Sequence, residues 1–168
     1  MCGEIGVWKG DFSQQILDIV DPKVLHLIDP WGFQENYNKS MYGGSVAKNQ
    51  KDMDGIFSHV SERFKNQIIH QKVFVHRTFS QNAAHGFSDH YFDWLYIDGN
   101  HTYEYVLKDL QFYVPKIKRG GFITGDDYCE GHWWQGGVKR AVDEFVRKDS
   151  RVGKLITKTT QFVLSIKE

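Results

Sequence analysis

The sequence predicts an α/β fold with a doubly wound, mostly parallel sheet, on three observations. Short apolar runs alternate with amphipathic stretches from one end of the chain to the other. The runs are near-continuously apolar, as strands covered on both faces are. No internal repeat, low-complexity segment or linker interrupts them, so residues 1–168 read as one domain, long enough for a core without staples.

The elements follow in order. "CGEIGVW" is a short buried strand starting almost at Met1. Asp11 or Ser13 can cap a helix with Phe12, Ile16, Ile19 and Val20 on one face. "PKVLHLIDP" is a second strand, stopped by Pro30. A polar stretch rich in Asn, Gly and Tyr runs from Trp31 to Gln50 and enters a helix whose apolar face is Met53, Ile56, Phe57, Val60 and Phe64. "KVFVHRTF" is the third strand, "SQNAAHGF" a short helix and "FDWLYIDG" the fourth strand. Tyr103, Val106, Leu107, Leu110 and Val114 mark the next helix, and "GGFITGDD" the fifth strand. A helix with Val138, Ala141, Val142 and Phe145 inward precedes the tail strands "KLITKT" and "TQFVLSIK", an antiparallel pair.

Bulk properties narrow the function. The 21 basic and 21 acidic residues balance, which leaves no electrostatic footprint for nucleic acid or an anionic membrane. No apolar run is long enough to span a bilayer, and no signal peptide precedes the first apolar segment. Cys2 and Cys129 make no metal or disulfide spacing, so a reduced, cytoplasmic setting is expected. Aromatic residues, at 15%, suit a well-filled core or an aromatic-walled pocket.

Ligands of such sheets bind beyond the carboxyl ends of the strands, and four ends here carry unusual residues. Gly6 and Gly10 punctuate the first strand-to-helix turn, where glycine lets the backbone approach a ligand. Their spacing is not G-x-G-x-x-G, which disfavours a nicotinamide-dependent oxidoreductase. Glu4, inside that strand, needs a partner. Asp29 ends the second strand about 20 residues after the glycines, where an acid can hold both ribose hydroxyls of a nucleoside-bearing cofactor. An Asp-Pro turn is the plainer alternative.

Asp98 ends the fourth strand and His101 follows at the next helix start; Asp126 and Asp127 end the fifth. Parallel neighbours lie about 4.8 Å apart, so the three carboxylates converge if these strands are adjacent. Oxygen donors without cysteine suit a hard divalent ion, Mg²⁺ most readily. Helix capping by Asp126 with a solvated Asp127 is the alternative. His101, with an ordinary pKa of about 6.5, is a fit general base. Trp133 and Trp134 either wall an acceptor pocket or pack the last helix.

In this order, "GEIGVWKGDFS", "LHLIDPW", "FDWLYIDGNHTYEYVLKDL" and "KRGGFITGDDY" resemble the class I S-adenosylmethionine-dependent methyltransferases, and within them the macrocin O-methyltransferase-like group. The resemblance covers nearly the whole chain. It implies a seven-stranded Rossmann-like sheet in the order 3-2-1-4-5-7-6, the seventh strand antiparallel. It implies that Glu4, Gly6 and Gly10 cradle the methionine part of S-adenosyl-L-methionine, that Asp29 binds its ribose, and that Arg77, Thr78 and Phe79 fall where adenine is contacted. Asp98, also bordering the cofactor, would join Asp126 and Asp127 as Mg²⁺ ligands, with Asp98 and His101 catalytic and His101 the base. Asn100 stands at a position that is often acidic.

The implied activity is O-methylation of a small hydroxylated acceptor, with no nucleic-acid or membrane partner; a homo-oligomer is compatible with it. Relatives usually carry an N-terminal helical segment before the first strand, whereas this sequence opens on the strand. That motivates the alternative reading, a non-catalytic or partner-dependent S-adenosylmethionine-binding module.

Overall fold

The computed structural model describes residues 1–167. Seven strands form one sheet in the order β3-β2-β1-β4-β5-β7-β6. They are β1 (Cys2–Ile5), β2 (Leu25–Asp29), β3 (Val73–Arg77), β4 (Phe92–Ile97), β5 (Ile117–Gly125), β6 (Val152–Lys158) and β7 (Gln161–Ile166). The first five pair in parallel, and β7 runs antiparallel to both β5 and β6. This is the Rossmann-like order that the methyltransferase resemblance implies.

Six helices cover the sheet: α1 (Asp11–Gln15), α2 (Gln50–Arg63), α3 (Lys65–Ile69), α4 (Ser80–Ala84), α5 (Tyr103–Tyr113) and α6 (Gly137–Lys148). Period-two alternation along the strands splits the core in two. On one face Ile5, Ile28, Leu95, Ile123 and Leu164 pack with Val106, Leu110, Val142 and Phe145 of α5 and α6. On the other, Cys2, Leu25, Leu27 and Val73 pack with Ile16, Met53, Val60 and Phe64. None of the helices is long and apolar enough to cross a membrane among the described residues.

Three local expectations change. The first helix is capped by neither Asp11 nor Ser13: Gly10 holds the N-cap at φ 77°, with no side-chain cap. That glycine is required, because a Cβ there would stand 2.7 Å from the Phe64 ring. After one turn the helix widens into a π-turn over Ile16–Val20, rotating Ile19 and Val20 out to solvent while Ile16 and Leu17 stay buried. The polar stretch after β2 hides a core residue, Trp31, which is 0% exposed and donates through Nε1 to Trp8 O at 2.9 Å.

Strand order reverses at β1, which lies between β2 and β4 and opens a crevice beyond their carboxyl ends. In open α/β sheets that crevice is where ligands bind.

Candidate active site

The crevice holds a cavity of about 270 Å³, bordered by residues from every strand end around the reversal. Its floor starts at Gly6, φ 87°, whose amide donates to Ile28 O at 2.9 Å. A Cβ on Gly6 would come within 2.1 Å of Asp98 O, so only glycine lets the β1 turn pass the β4 turn this closely. The chain beyond Gly6 wraps around Asp29. Val7 N and Trp8 N donate to its Oδ2 at 2.9 and 3.0 Å, and Trp31 N to its Oδ1 at 2.7 Å. Burial pushes the Asp29 carboxyl up, and the three amides pull it part of the way back.

Glu4 finds the partner its burial demands. It is 1% exposed and accepts from Ser13 Oγ. Burial raises its carboxyl to about 8, against the pull of that hydroxyl, so Glu4 is neutral at pH 7.

At the β4 and β5 ends, Asp98, His101 and Asp127 each offer one ligand atom within 4.8 Å of the others. Pairing of Ile97 with Gly125 sets the two turns side by side. His101 Nε2 lies 3.2 Å from Asp98 Oδ1, and Nδ1 lies 3.0 Å from Asp127 Oδ2. The second contact is close but poorly aligned, leaving Nδ1 buried without a hydrogen bond. Burial alone would lower the His101 pKa, but the two carboxylates outweigh it and hold the ring at about 9. The imidazole is therefore a cation at neutral pH, not the free base that an ordinary pKa implies. Burial raises Asp98, with His101 opposing. Two carboxylates and an imidazole are a donor set that fits a divalent ion, which would compete with the proton on His101.

The adjacent aspartates part company. Asp127 adopts φ 60°, turning its carboxylate to His101. Asp126 stays outside the trio, and its Oδ1 accepts from Thr160 Oγ1 at 2.7 Å and from Asp127 N at 2.8 Å.

Glu4, Gly6, Asp29, Phe79, Asp98 and His101 border the cavity. Gly10, Arg77 and Thr78 do not. Arg77 is paired with Asp54, and its guanidinium lies 4.5 Å from the Phe57 ring centroid. The aromatics flank the trio: the Trp134 ring meets His101 edge-on at 4.9 Å, and Trp133 lies parallel at 6.4 Å.

Sequence reasoning missed Tyr42, Ser80 and Asp109 as cavity residues. Asp109 did carry a signal, a charge on the apolar stripe of Val106, Leu110 and Tyr113. Tyr42 Oη and Asn100 Nδ2 border the cavity, buried and without protein partners, as groups awaiting a ligand are.

Comparison with known proteins agrees with the fold. The O-methyltransferase NovP superposes with a TM-score of 0.69 at 20% identity, over 99% of this chain and 72% of that one. A Podospora anserina methyltransferase, solved with SAH bound, gives 0.66 at 14% identity over 99% and 71%. At such identities these likenesses concern the fold. An uncharacterized protein of Acanthamoeba polyphaga mimivirus is 39% identical over 62 residues, which is 37% of this chain and only 27% of the relative. A family model described as a methyltransferase domain matches residues 4–128, from the buried glutamate of β1 to just past the paired aspartates. By that match, the chain belongs to the methyltransferase domain family.

Proposed function

We propose that this protein moves the methyl group of S-adenosylmethionine to a hydroxyl of a small molecule, and that its subgroup is the macrocin O-methyltransferase-like one. The observation that carries the reading is the meeting of two half-sites at one cavity. The Gly6 turn and Asp29 lie on its β1–β2 side, and Asp98 and His101, which meet Asp127 just beyond the lining, on its β4 side. The first suits a nucleoside-bearing cofactor, the second an oxygen nucleophile. One structural neighbour is an O-methyltransferase and another was solved with SAH bound, which lends support.

Asp98 and Asp127 would hold a divalent ion beside His101, Mg²⁺ by the hardness of the donors. Its chemistry there is to lower the pKa of an acceptor hydroxyl. His101, relieved of its proton, would accept the hydroxyl proton. Trp133 and Trp134 would limit the water around the reacting oxygen. Alignment of that oxygen with the sulfonium methyl supplies the rest.

Calorimetric titration with S-adenosylmethionine and S-adenosylhomocysteine tests the cofactor, and absence of binding to folded protein rejects the reading. Methyl transfer to a library of hydroxylated acceptors, with Mg²⁺ or EDTA, tests the reaction. A cofactor-binding module without catalysis is the second reading, favoured by the proton that the two carboxylates hold on His101 at neutral pH, which leaves no free base. Binding without transfer to any acceptor would select it.

A further inference from the structure

One face of the sheet is covered over only part of its width. Side chains alternate along a strand, so every second residue of β5 and β7 turns away from α5 and α6. Ile123 and Leu164 are 0% exposed in the core under those helices, whereas Phe122, on the opposite face, is 45% exposed. Strand pairing sets Phe122 beside Trp94 of β4, and Val163 of β7 beside Ile156 of β6, which is 48% exposed. Trp94 Nε1 donates to Thr124 Oγ1 at 2.7 Å, so its indole lies on this same face. The helical cover ends at α1, whose Phe12 ring lies 4.2 Å from that of Tyr96 on β4. A parallel pair such as β4–β5 is ordinarily buried on both faces, and a contiguous apolar patch left open marks an interaction surface.

Width and charge specify what fits this patch. The axes of β5 and β6, two strands apart, are separated by about 10 Å, the diameter of one helix. Along β6, Lys154, Ile156 and Lys158 share the open face, which sets two cations beside the apolar floor. Both lysines are exposed, and neither joins an ion pair among the described residues. Their cross-strand partners, Ser165 and Gln161, are uncharged, so no acid of the patch answers them. A second copy docked here would set lysine against lysine, because a two-fold contact pairs a surface with itself. Nor does a second copy have a long helix to spare, since α2, α5 and α6 already bury their apolar stripes in the two cores.

We propose that the open face of β5, β7 and β6 docks an amphipathic helix of a different protein, its apolar stripe on Phe122, Val163 and Ile156 and its acidic edge against Lys154 and Lys158. This goes beyond the methyl-transfer reading and stands independently of it. Burial of Phe122 and Ile156 supplies the anchor, and the lysines admit acidic helices while repelling basic ones. A helix running the length of β6, which has 7 residues, spans about 23 Å and so needs about 15 residues.

The test is fluorescence anisotropy with two labelled helical peptides of about that length. They share one leucine stripe, flanked by glutamates in the first and by lysines in the second. The wild type should bind the acidic peptide about 10-fold more tightly, as two exposed ion pairs set against two like-charge contacts allow. Lys154→Glu combined with Lys158→Glu should reverse that preference. Phe122→Ser should weaken both peptides about 10-fold through lost apolar contact. Ile156→Thr, at the sheet edge, repeats this measurement if Phe122→Ser does not fold. Binding of neither peptide, or equal binding of both, overturns the proposal. A wild type that sediments as a dimer and becomes a monomer on Phe122→Ser overturns it too, because the face then belongs to a second copy of this chain.

Discussion

His101 Nδ1 faces Asp127 Oδ2 at 3.0 Å while Nε2 faces Asp98 Oδ1 at 3.2 Å, so one imidazole bridges the ends of two strands. Its pKa is raised above the ordinary value, to about 9. A proton held more tightly in the folded state stabilises the fold fully below the unfolded pKa of about 6.5. That stabilisation is lost as pH rises through about 9. Urea denaturation of ion-free protein should show stability falling across this window, and His101→Gln should flatten the slope. Added Mg²⁺ should acidify the ring, which NMR titration of the His101 resonance would show.

Asp126 and Asp127 are adjacent but should behave differently. Asp127→Asn is expected to cut divalent-ion-dependent turnover about 10- to 100-fold, the range for lost metal-site partners. Asp126→Asn should keep that dependence and lose about 1 kcal/mol of stability, because it weakens a tie to Thr160 and not the trio. Equal loss of Mg²⁺ response in both variants would return Asp126 to the ligand set.

Glu4 provides a second pH test, of opposite origin. Its folded pKa, about 8, lies above the ordinary value of 4.5, so the native state keeps a proton that the unfolded chain releases. Stability from this group should decline as pH rises from about 4.5 to about 8. Glu4→Gln still offers an oxygen to Ser13 Oγ and cannot ionise, so it should remove that decline. Thermal melts of both proteins at pH 5 and pH 8 measure it.

Gly6→Ala should be severe. The new Cβ would meet Asp98 O at 2.1 Å, and φ 87° is unfavourable for any L side chain. Backbone strain alone costs on the order of 1–3 kcal/mol, and relief of the contact would push the β4 turn away. Denaturation should show that loss, with Mg²⁺ affinity falling alongside it because Asp98 moves.

Trp31→Ala should cost about 3–5 kcal/mol, as expected for a large aromatic removed from a core. Its ring is fully buried against Phe57, with centroids 5.1 Å apart. A midpoint shift in urea with unchanged m-value would show that the loss is one of packing.

The sheet was legible because its strands are apolar on both faces, whereas their order came from the family resemblance and not from the residues alone. Of the site, Gly6, Asp29, Asp98 and His101 could be placed because strand ends are fixed by strand pairing. The side-chain directions of Asp126 and Asp127 could not, since they depend on Asp127 adopting a left-handed conformation that no local pattern announces. The π-turn at Ile16–Val20 escaped for a similar reason: a period of 3.6 assigns Ile19 and Val20 inward, and one extra residue per turn reverses them. Trp31 was hidden by polar neighbours, although its burial comes from α2, far along the chain. Arg77 looked like a ligand contact only while Asp54 and Phe57 were not known to be beside it.

Asp29 gathers three main-chain amides, those of Val7, Trp8 and Trp31, from two loops distant in sequence. The loops are thereby one cooperative unit, since neither can open without leaving a buried carboxylate short of donors. Hydrogen–deuterium exchange at these three amides should accordingly proceed at a common rate, set by a single opening event. Any ligand that adds a bond to the same carboxylate should slow all three together, including Trp31, whose side chain lies in the core.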